Sequence, residues 1–139
     1  MDDDELTRRL CGILAGLPGW EGPDRASHAG AKVAVFYGAI DTTPDVAVGV
    51  RVYGEASIPG ESREVRRVQF RFRGEPNAPN GADRLAGIVH AIFSNLTRVA
   101  GVNGAIRASF APMGADKNRR EERADNYLII IDNLEAYPS

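Results

Sequence analysis

The chain has 139 residues, of which 43% are apolar and 26% charged, and its 17 Lys and Arg against 19 Asp and Glu give a net charge of −2. This length suits one domain over residues 1–139, with a short loose tail expected at about 133–139. The apolar content excludes a wholly disordered chain. The near-neutral charge excludes the strongly basic class of proteins that coat nucleic acid.

A single cysteine, Cys11, excludes an intrachain disulfide, and its place in an apolar helical pattern fits a small half-buried residue. The acidic residues 1–5 do not have the pattern of a signal peptide. No apolar run is long enough to cross a bilayer. We therefore expect a cytosolic protein, or one assembled in the cytosol, that contacts no membrane.

Two segments carry apolar residues at helical spacing and predict amphipathic helices. The first begins at the acidic N-terminus and ends at the Pro18-Gly19 pair; its apolar face comprises Leu6, Leu10, Ile13, Leu14 and Leu17. The second follows a break rich in Pro and Asn at 74–81; its apolar face comprises Leu85, Ile88, Val89, Ile92, Phe93 and Leu96. The small residues Gly87, Ala91 and Ser94 lie on its back.

Five segments predict strands: 33–37, 46–53, 64–73, 105–111 and 126–132. In the third, alternation places Phe70 and Phe72 on one face and Arg71 and Arg73 on the other. The last is apolar on both faces, which is typical of a strand covered on both sides. The segment 112–123 before it is predicted to be a charged loop.

The resulting order, α-β-β-β-α-β-β, predicts an α+β fold with a mostly antiparallel sheet of about five strands. The two helices can cover one face of this sheet. Because so short a chain has no further element to cover the other face, we expect a neighbouring subunit to cover it.

Catalytic and ligand-binding patterns are missing from the sequence. His28 and His90 have no second ligand at metal-binding spacing, and we interpret both as surface residues. No glycine-rich phosphate loop and no GxSxG nucleophile elbow is present. We therefore expect no metal, no cofactor and no enzymatic activity.

Two parts of the sequence resemble the tail terminator proteins of long-tailed bacteriophages. One runs from the strand 68–74 (VQFRFRG) through the Pro/Asn break into a helix that opens Ala82-x-x-Leu85-Ala86-x-Ile88. The other is the late charged segment 114–123, which leads to Asn126-Tyr127.

The resemblance implies a structural role in the neck and tail of a virion. It implies a homo-oligomeric ring, six-fold in this family, that caps the head-proximal end of the tail tube. Such a ring stops tube polymerisation and docks to a head-completion protein, so the implied partners are further copies of the chain, the major tail tube protein and that connector.

A cyclic ring requires two different binding surfaces on each subunit, because one surface of each copy contacts a different surface of the next. The candidates are the outward row of the third strand, the small-residue back of the second helix and the late charged loop: Gln69, Arg71, Arg73, Gly87, Ala91, Lys117, Arg119 and Arg120. Ordinary solvent-exposed surface is the other interpretation of all of them.

Two alternatives remain open on sequence alone. One is another neck or head–tail adaptor protein of the same virion. The other, less favoured, is a small RNA-binding module, which alternating Arg and Phe on a strand can indicate. Phe70 and Phe72 share a face with Val68 and therefore fit a core better than an RNA platform, so we expect no specific binding of nucleic acid.

Overall fold

The computed structural model describes residues 1–24, 28 and 30–132, so the tail expected at 133–139 lies outside the described residues. The elements in chain order are α1 (Asp3–Ala15), β1 (Trp20–Glu21), β2 (Val33–Tyr37), β3 (Ala47–Ala56), β4 (Glu64–Pro76), α2 (Gly81–Ser94), β5 (Val102–Ala115) and β6 (Arg120–Ile131). The α+β class is confirmed.

The strands form one sheet in the order β1-β2-β3-β4-β6-β5. It has six strands rather than about five, and it is mixed, because β1 and β3 both run parallel to β2 while the remaining pairs are antiparallel. Strands β2 and β3 can run parallel because segment 38–46, which connects them, crosses back over one face of the sheet. There the Gly38 carbonyl lies so close to Gly49 that a Cβ at that position would be 2.3 Å from the oxygen.

Helix α1 begins at the predicted acidic turn. The Asp2 carboxylate caps it by accepting a 2.7 Å hydrogen bond from the Glu5 backbone N–H. A carboxylate at this position satisfies an otherwise unpaired helix N–H and complements the helix dipole. Leu6, Leu10 and Leu14 are fully buried, as the apolar spacing predicts.

Both helices pack on the same face of the sheet, where the single large core lies. Phe70 lies near its centre, with ring centroids of Phe93 and Tyr127 each 5.3 Å away. The prediction that Phe70 and Phe72 point into the core is therefore confirmed. This arrangement fixes the odd-numbered residues of β4 on the opposite face.

Strands β5 and β6 form a long hairpin, and the predicted loop 112–123 is its end. The Asp116 carboxylate accepts backbone hydrogen bonds from Asn118 and Arg120, both 2.9 Å long, and so builds a tight turn. The loop prediction was wrong because a charged segment exposed on both faces carries no strand alternation.

The sheet face opposite the helices is covered unevenly. At the β2 end, segment 38–46 covers Ala34, Phe36 and Ala47, with Ile40 packed against them. At the β6 end, Leu128 and Ile130 are only half-buried, and nothing in the described part of the chain packs over them as the helices do over the other face. We call this region, with its neighbour Gln69, the uncovered face.

Candidate interaction surfaces

Arg73 belongs to a buried clamp rather than to an outward surface. Its side chain is 4% exposed and donates hydrogen bonds to the carbonyls of Asp41 and Pro44, each 2.7 Å, and Asp45, 2.8 Å. The expectation that Arg73 faces outward with Arg71 is therefore wrong. Alternation places it correctly off the core face, but segment 38–46 folds over it. Burial, together with the charge of Arg120, lowers the pKa of its guanidinium.

Arg120 completes the same clamp from the hairpin. It is 4% exposed, forms an ion pair with Asp116 at 2.8 Å, and donates to the Thr42 carbonyl at 2.6 Å and to Asp45 at 3.2 Å. The expectation that Arg120 projects from a loop is also wrong, because the turn at Asp116 folds its side chain back. Arg73 and Arg120 together fix the position of segment 41–45 against the turn end of the hairpin.

Five other predicted interface residues are accessible. Arg71, Lys117 and Arg119 are exposed, and Gly87 and Ala91 lie on the outer side of α2. Gln69 is half-buried on the uncovered face, where its amide donates to Asn126 at 3.1 Å. The structure thus separates the predicted set into exposed groups and the buried pair Arg73 and Arg120.

Three large exposed apolar side chains were not predicted from the sequence. Ile106, Phe110 and Met113 on β5 are 48%, 54% and 49% exposed. They lie on what we call the projecting hairpin, residues 106–119, most of which is exposed. The run 110–113, apolar and immediately before a charged turn, was the signal that could have indicated it. Ile106 pairs with Leu128 on the face away from the helices and Phe110 pairs with Asp125 on the helix-bearing face, so the hairpin exposes large apolar side chains on both faces.

Phe110 is held in place by two arginines. The guanidinium carbons of Arg123 and Arg107 lie 4.2 and 5.0 Å from its ring centroid. Both arginines pair with Asp125, which is fully buried, at 2.7 and 3.6 Å. An aromatic side chain fixed in this way loses little conformational freedom when a partner covers it.

A groove of about 280 Å³ lies on the helix-bearing face, between the start of α2 and a lining that runs from Trp20 of β1 to Gly74 and Glu75 of β4. Its apolar lining includes Trp20, Val33, Val46, Leu85 and Ile88; its polar rim includes Lys32, Glu75 and Arg84. Ile88 was predicted to lie on the core face of α2, yet it is 44% exposed. It stands at the border of the helix's apolar stripe, where the sheet no longer covers it.

The residues that were considered for metal binding or catalysis pack against, or form hydrogen bonds with, other side chains. His28 is buried, not a surface residue, and its ring lies 4.8 Å from that of Phe36. His90 is half-buried and shares a 3.0 Å hydrogen bond with the Tyr127 hydroxyl. Burial raises the pKa of the Cys11 thiol to about 12, which makes its reactive thiolate scarce. Across residues 1–24, 28 and 30–132 there is no cluster of side chains that could hold a metal ion.

The family follows from comparison with known proteins. A family model described as bacteriophage tail terminator protein matches residues 21–133, which includes every strand except the first residue of β1. The chain belongs to this family. A comparison with curated individual proteins finds no match.

This tail terminator is therefore a structural component of a phage tail. Its described helices include none that is long and apolar enough to span a membrane.

The hairpin turn of the tail terminator should loosen in acid. Hydrogen bonds from the Arg120 backbone N–H, and further bonds from the Arg120 side chain and Asn118, lower the pKa of Asp116. A carboxyl group whose pKa is lowered by folding stabilises the folded protein at pH values above its ordinary pKa. This stabilisation is lost as the pH falls through the pKa of the folded state. We expect Asp116→Asn to melt below wild type near pH 6. The difference should shrink as the pH falls below about 4; a difference that is constant from pH 6 to pH 2 would contradict this assignment.

Proposed function

We propose that this tail terminator forms a ring, six-fold as the family resemblance implies, on the head-proximal end of the tail tube. The ring stops polymerisation of the tube protein and presents its other side to a head-completion protein. The assembly takes place in the cytoplasm of the bacterial host. This role needs no cofactor and no catalytic group.

The observation that carries the proposal is the unlike character of the two sheet edges. The β5 edge bears the projecting hairpin with three half-exposed apolar side chains, and the β1 edge contributes Trp20 to the groove. A cyclic ring is built from heterologous contacts, in which one surface of each copy meets a different surface of the next. Two unlike edges on one subunit meet this requirement.

The uncovered face supports assembly as well. Leu128 and Ile130 on β6 are half-buried there, and Ile106 of β5, 48% exposed, pairs with Leu128 and extends this apolar strip. Burying such a strip contributes about 25 cal/mol for each Å² of apolar surface removed from water. A neighbouring subunit is the cover that we propose for it.

The contact at the β5 edge uses side chains rather than strand pairing. The pairing of β5 with β6 shifts register at three places, between Val102 and Gly104, Arg107 and Ser109, and Pro112 and Gly114. Bulges and an edge proline interrupt the row of backbone groups that an added strand would need. The sheet is therefore not expected to continue from one subunit into the next.

The exposed cations Lys117 and Arg119 at the hairpin end, with Arg71 on β4, are proposed to contact the tube or the connector. Removing Arg71, Lys117 and Arg119 together, as Arg71→Ala with Lys117→Ala and Arg119→Ala, should change unfolding stability little. Surface substitutions of this kind usually stay within about 0.5 kcal/mol each. We expect the triple variant to fold but to yield tails of uncontrolled length that do not join heads, scored by electron microscopy.

A matched control removes cations elsewhere on the surface. Arg8→Ala with Arg98→Ala takes exposed arginines from the opposite end of the subunit and should leave tails normal. Normal tail length and infectious particles from the triple variant would show that this end of the hairpin meets neither partner.

A further inference from the structure

Three arginines flank the uncovered face. Arg67 of β4 pairs in register with Leu128. Arg51 of β3 pairs with Gln69, and Arg71 is the next residue of β4 on that face. All three arginines are exposed, and none of them forms an ion pair with a described residue. The uncovered face therefore combines an apolar strip with positive charge that its own copy does not neutralise.

The charge of this face disfavours a contact between two uncovered faces. Such a two-fold contact would bring the arginines of both copies together, and like charges oppose association. From Val65 to Arg73 on β4, and opposite them on β6, Glu122 is the one carboxylate that points to this face, and it lies beside the buried Arg73. The neighbouring copy must therefore cover the face with a different, acidic surface.

Helix α1 carries such a surface. Asp2, Asp3, Asp4 and Glu5 follow one another at its start, and the three aspartates are exposed. Asp3 and Asp4 already pair with arginines of their own copy, but carboxylates outnumber arginines along the helix. Helix α2 has one carboxylate, that of Asp83, so α1 is the acidic member of the helix layer.

We propose that the uncovered face of one copy receives the outer side of α1 from the next copy, with Asp4 opposite Arg67. This contact rests on the proposed ring and specifies which surfaces close it. No copy can cover its own face in this way, because α1 packs on the opposite face of its sheet.

The space on the uncovered side fits one helix. Segment 38–46 covers the β2 end of this face, which leaves β4, β6 and β5. Three strands about 4.8 Å apart span about 10 Å, which is the diameter of an α-helix. Helix α1 packs on β1, β2 and β3 of its own copy, so the contact overlaps the β5 half of one sheet with the β1 half of the next.

Gly12 on the outer side of α1 permits a close approach. It is exposed, and a Cβ added there would have no neighbour within 4 Å, so no contact inside the subunit requires glycine. Glycine inside a helix is nevertheless less favourable than alanine. A sheet packed against this side of α1 gives the missing side chain a role, since Leu128 and Ile106 can then reach the helix backbone.

Charge exchange tests the contact with purified protein added to tail tubes. Arg67→Glu alone and Asp4→Arg alone should each lower the number of ring-capped tubes at least about tenfold, because each places like charges in every interface. The double variant with both changes should restore capping. An equal mixture of the two single variants should restore it as well, since they can alternate around an even-numbered ring. Arg84→Glu is the matched control, because it reverses an exposed arginine of α2 outside both surfaces and should cap tubes normally.

Crosslinking tests the same contact without changing any charge. The native Cys11 is buried, so a short bismaleimide reacts with introduced cysteines. Gly12→Cys combined with Leu128→Cys should give a ladder of covalent oligomers in assembled rings, because each link joins two different surfaces. Either substitution alone should leave the chains unlinked.

Several outcomes would overturn the contact while leaving the ring itself standing. These are single charge variants that cap as well as Arg84→Glu, single variants that neither the double change nor mixing rescues, and assembled rings in which the two cysteines do not link. Covalent dimers from Leu128→Cys alone would overturn it too, because they would show that two uncovered faces meet. Wild-type protein that caps no tubes as a ring would contradict the proposed function, and the contact would fall with it.

Discussion

Replacing Arg73 with methionine is expected to lower the free energy of unfolding by about 3–5 kcal/mol. Methionine keeps much of the aliphatic stem but removes the three short hydrogen bonds to the carbonyls of Asp41, Pro44 and Asp45. A hydrogen bond from a charged donor contributes about 1.5–3 kcal/mol, and the part-exposed carbonyls of segment 41–45 regain some of this loss from water. Urea unfolding followed by circular dichroism measures the loss.

The neighbouring arginine on the same face of β4 provides the control. Arg71 is exposed, and within the described residues its side chain donates one weak hydrogen bond, 3.5 Å long, to the Met113 sulfur. Arg71→Met should therefore change stability by no more than about 0.5 kcal/mol. Equal effects of the two substitutions would show that segment 41–45 does not depend on the Arg73 clamp.

Replacing Asp125 with alanine should cost a similar amount, about 3–5 kcal/mol. Asp125 is fully buried and neutralises Arg107 and Arg123, whose side chains are 25% and 12% exposed. Removing one carboxylate leaves two largely buried cations beside each other and frees the groups that hold Phe110. Thermal and urea unfolding report the stability, and near-ultraviolet circular dichroism reports the order of the aromatic side chains.

Asp83 is the matched control because it pairs with the same arginine. It lies 3.1 Å from Arg123 but is 63% exposed, so Asp83→Ala should cost no more than about 1 kcal/mol. Should both variants unfold at the same urea concentration, the buried pair would contribute no more than the exposed one.

Strong periodicity explains which elements could be predicted. Strand β2 has the predicted bounds, and the alternation in β4 correctly assigns Phe70 and Phe72 to the core. The spacing of Leu6, Leu10 and Leu14 similarly predicts the buried face of α1. In each case one face of the element is buried and the other is not, and this difference is what a sequence pattern records.

The missed features depend on contacts between distant segments. Nothing in the sequence near Arg73 shows that segment 41–45 folds over it, so alternation alone suggests solvent. Strand β1 has two residues and no period. The outer half of the hairpin β5–β6 is exposed on both faces, and its pattern is therefore that of a loop.

The same limits apply to the interaction surfaces. Exposed cations such as Arg71 and Lys117 could be selected from the sequence, because a charged residue opposite a core residue must face outward unless something covers it. The groove could not be predicted, since its lining residues Trp20 and Ile88 come from distant segments of the chain. Phe110 was missed because an aromatic residue on a strand is more often part of the core.

Cryo-electron microscopy of tail tubes assembled with this protein tests the central claim most directly. The account predicts a single six-fold ring at one end of each tube, with the β5 edge of every subunit against the β1 edge of the next. Protein distributed along the tube, or a terminal ring of another symmetry, would contradict it.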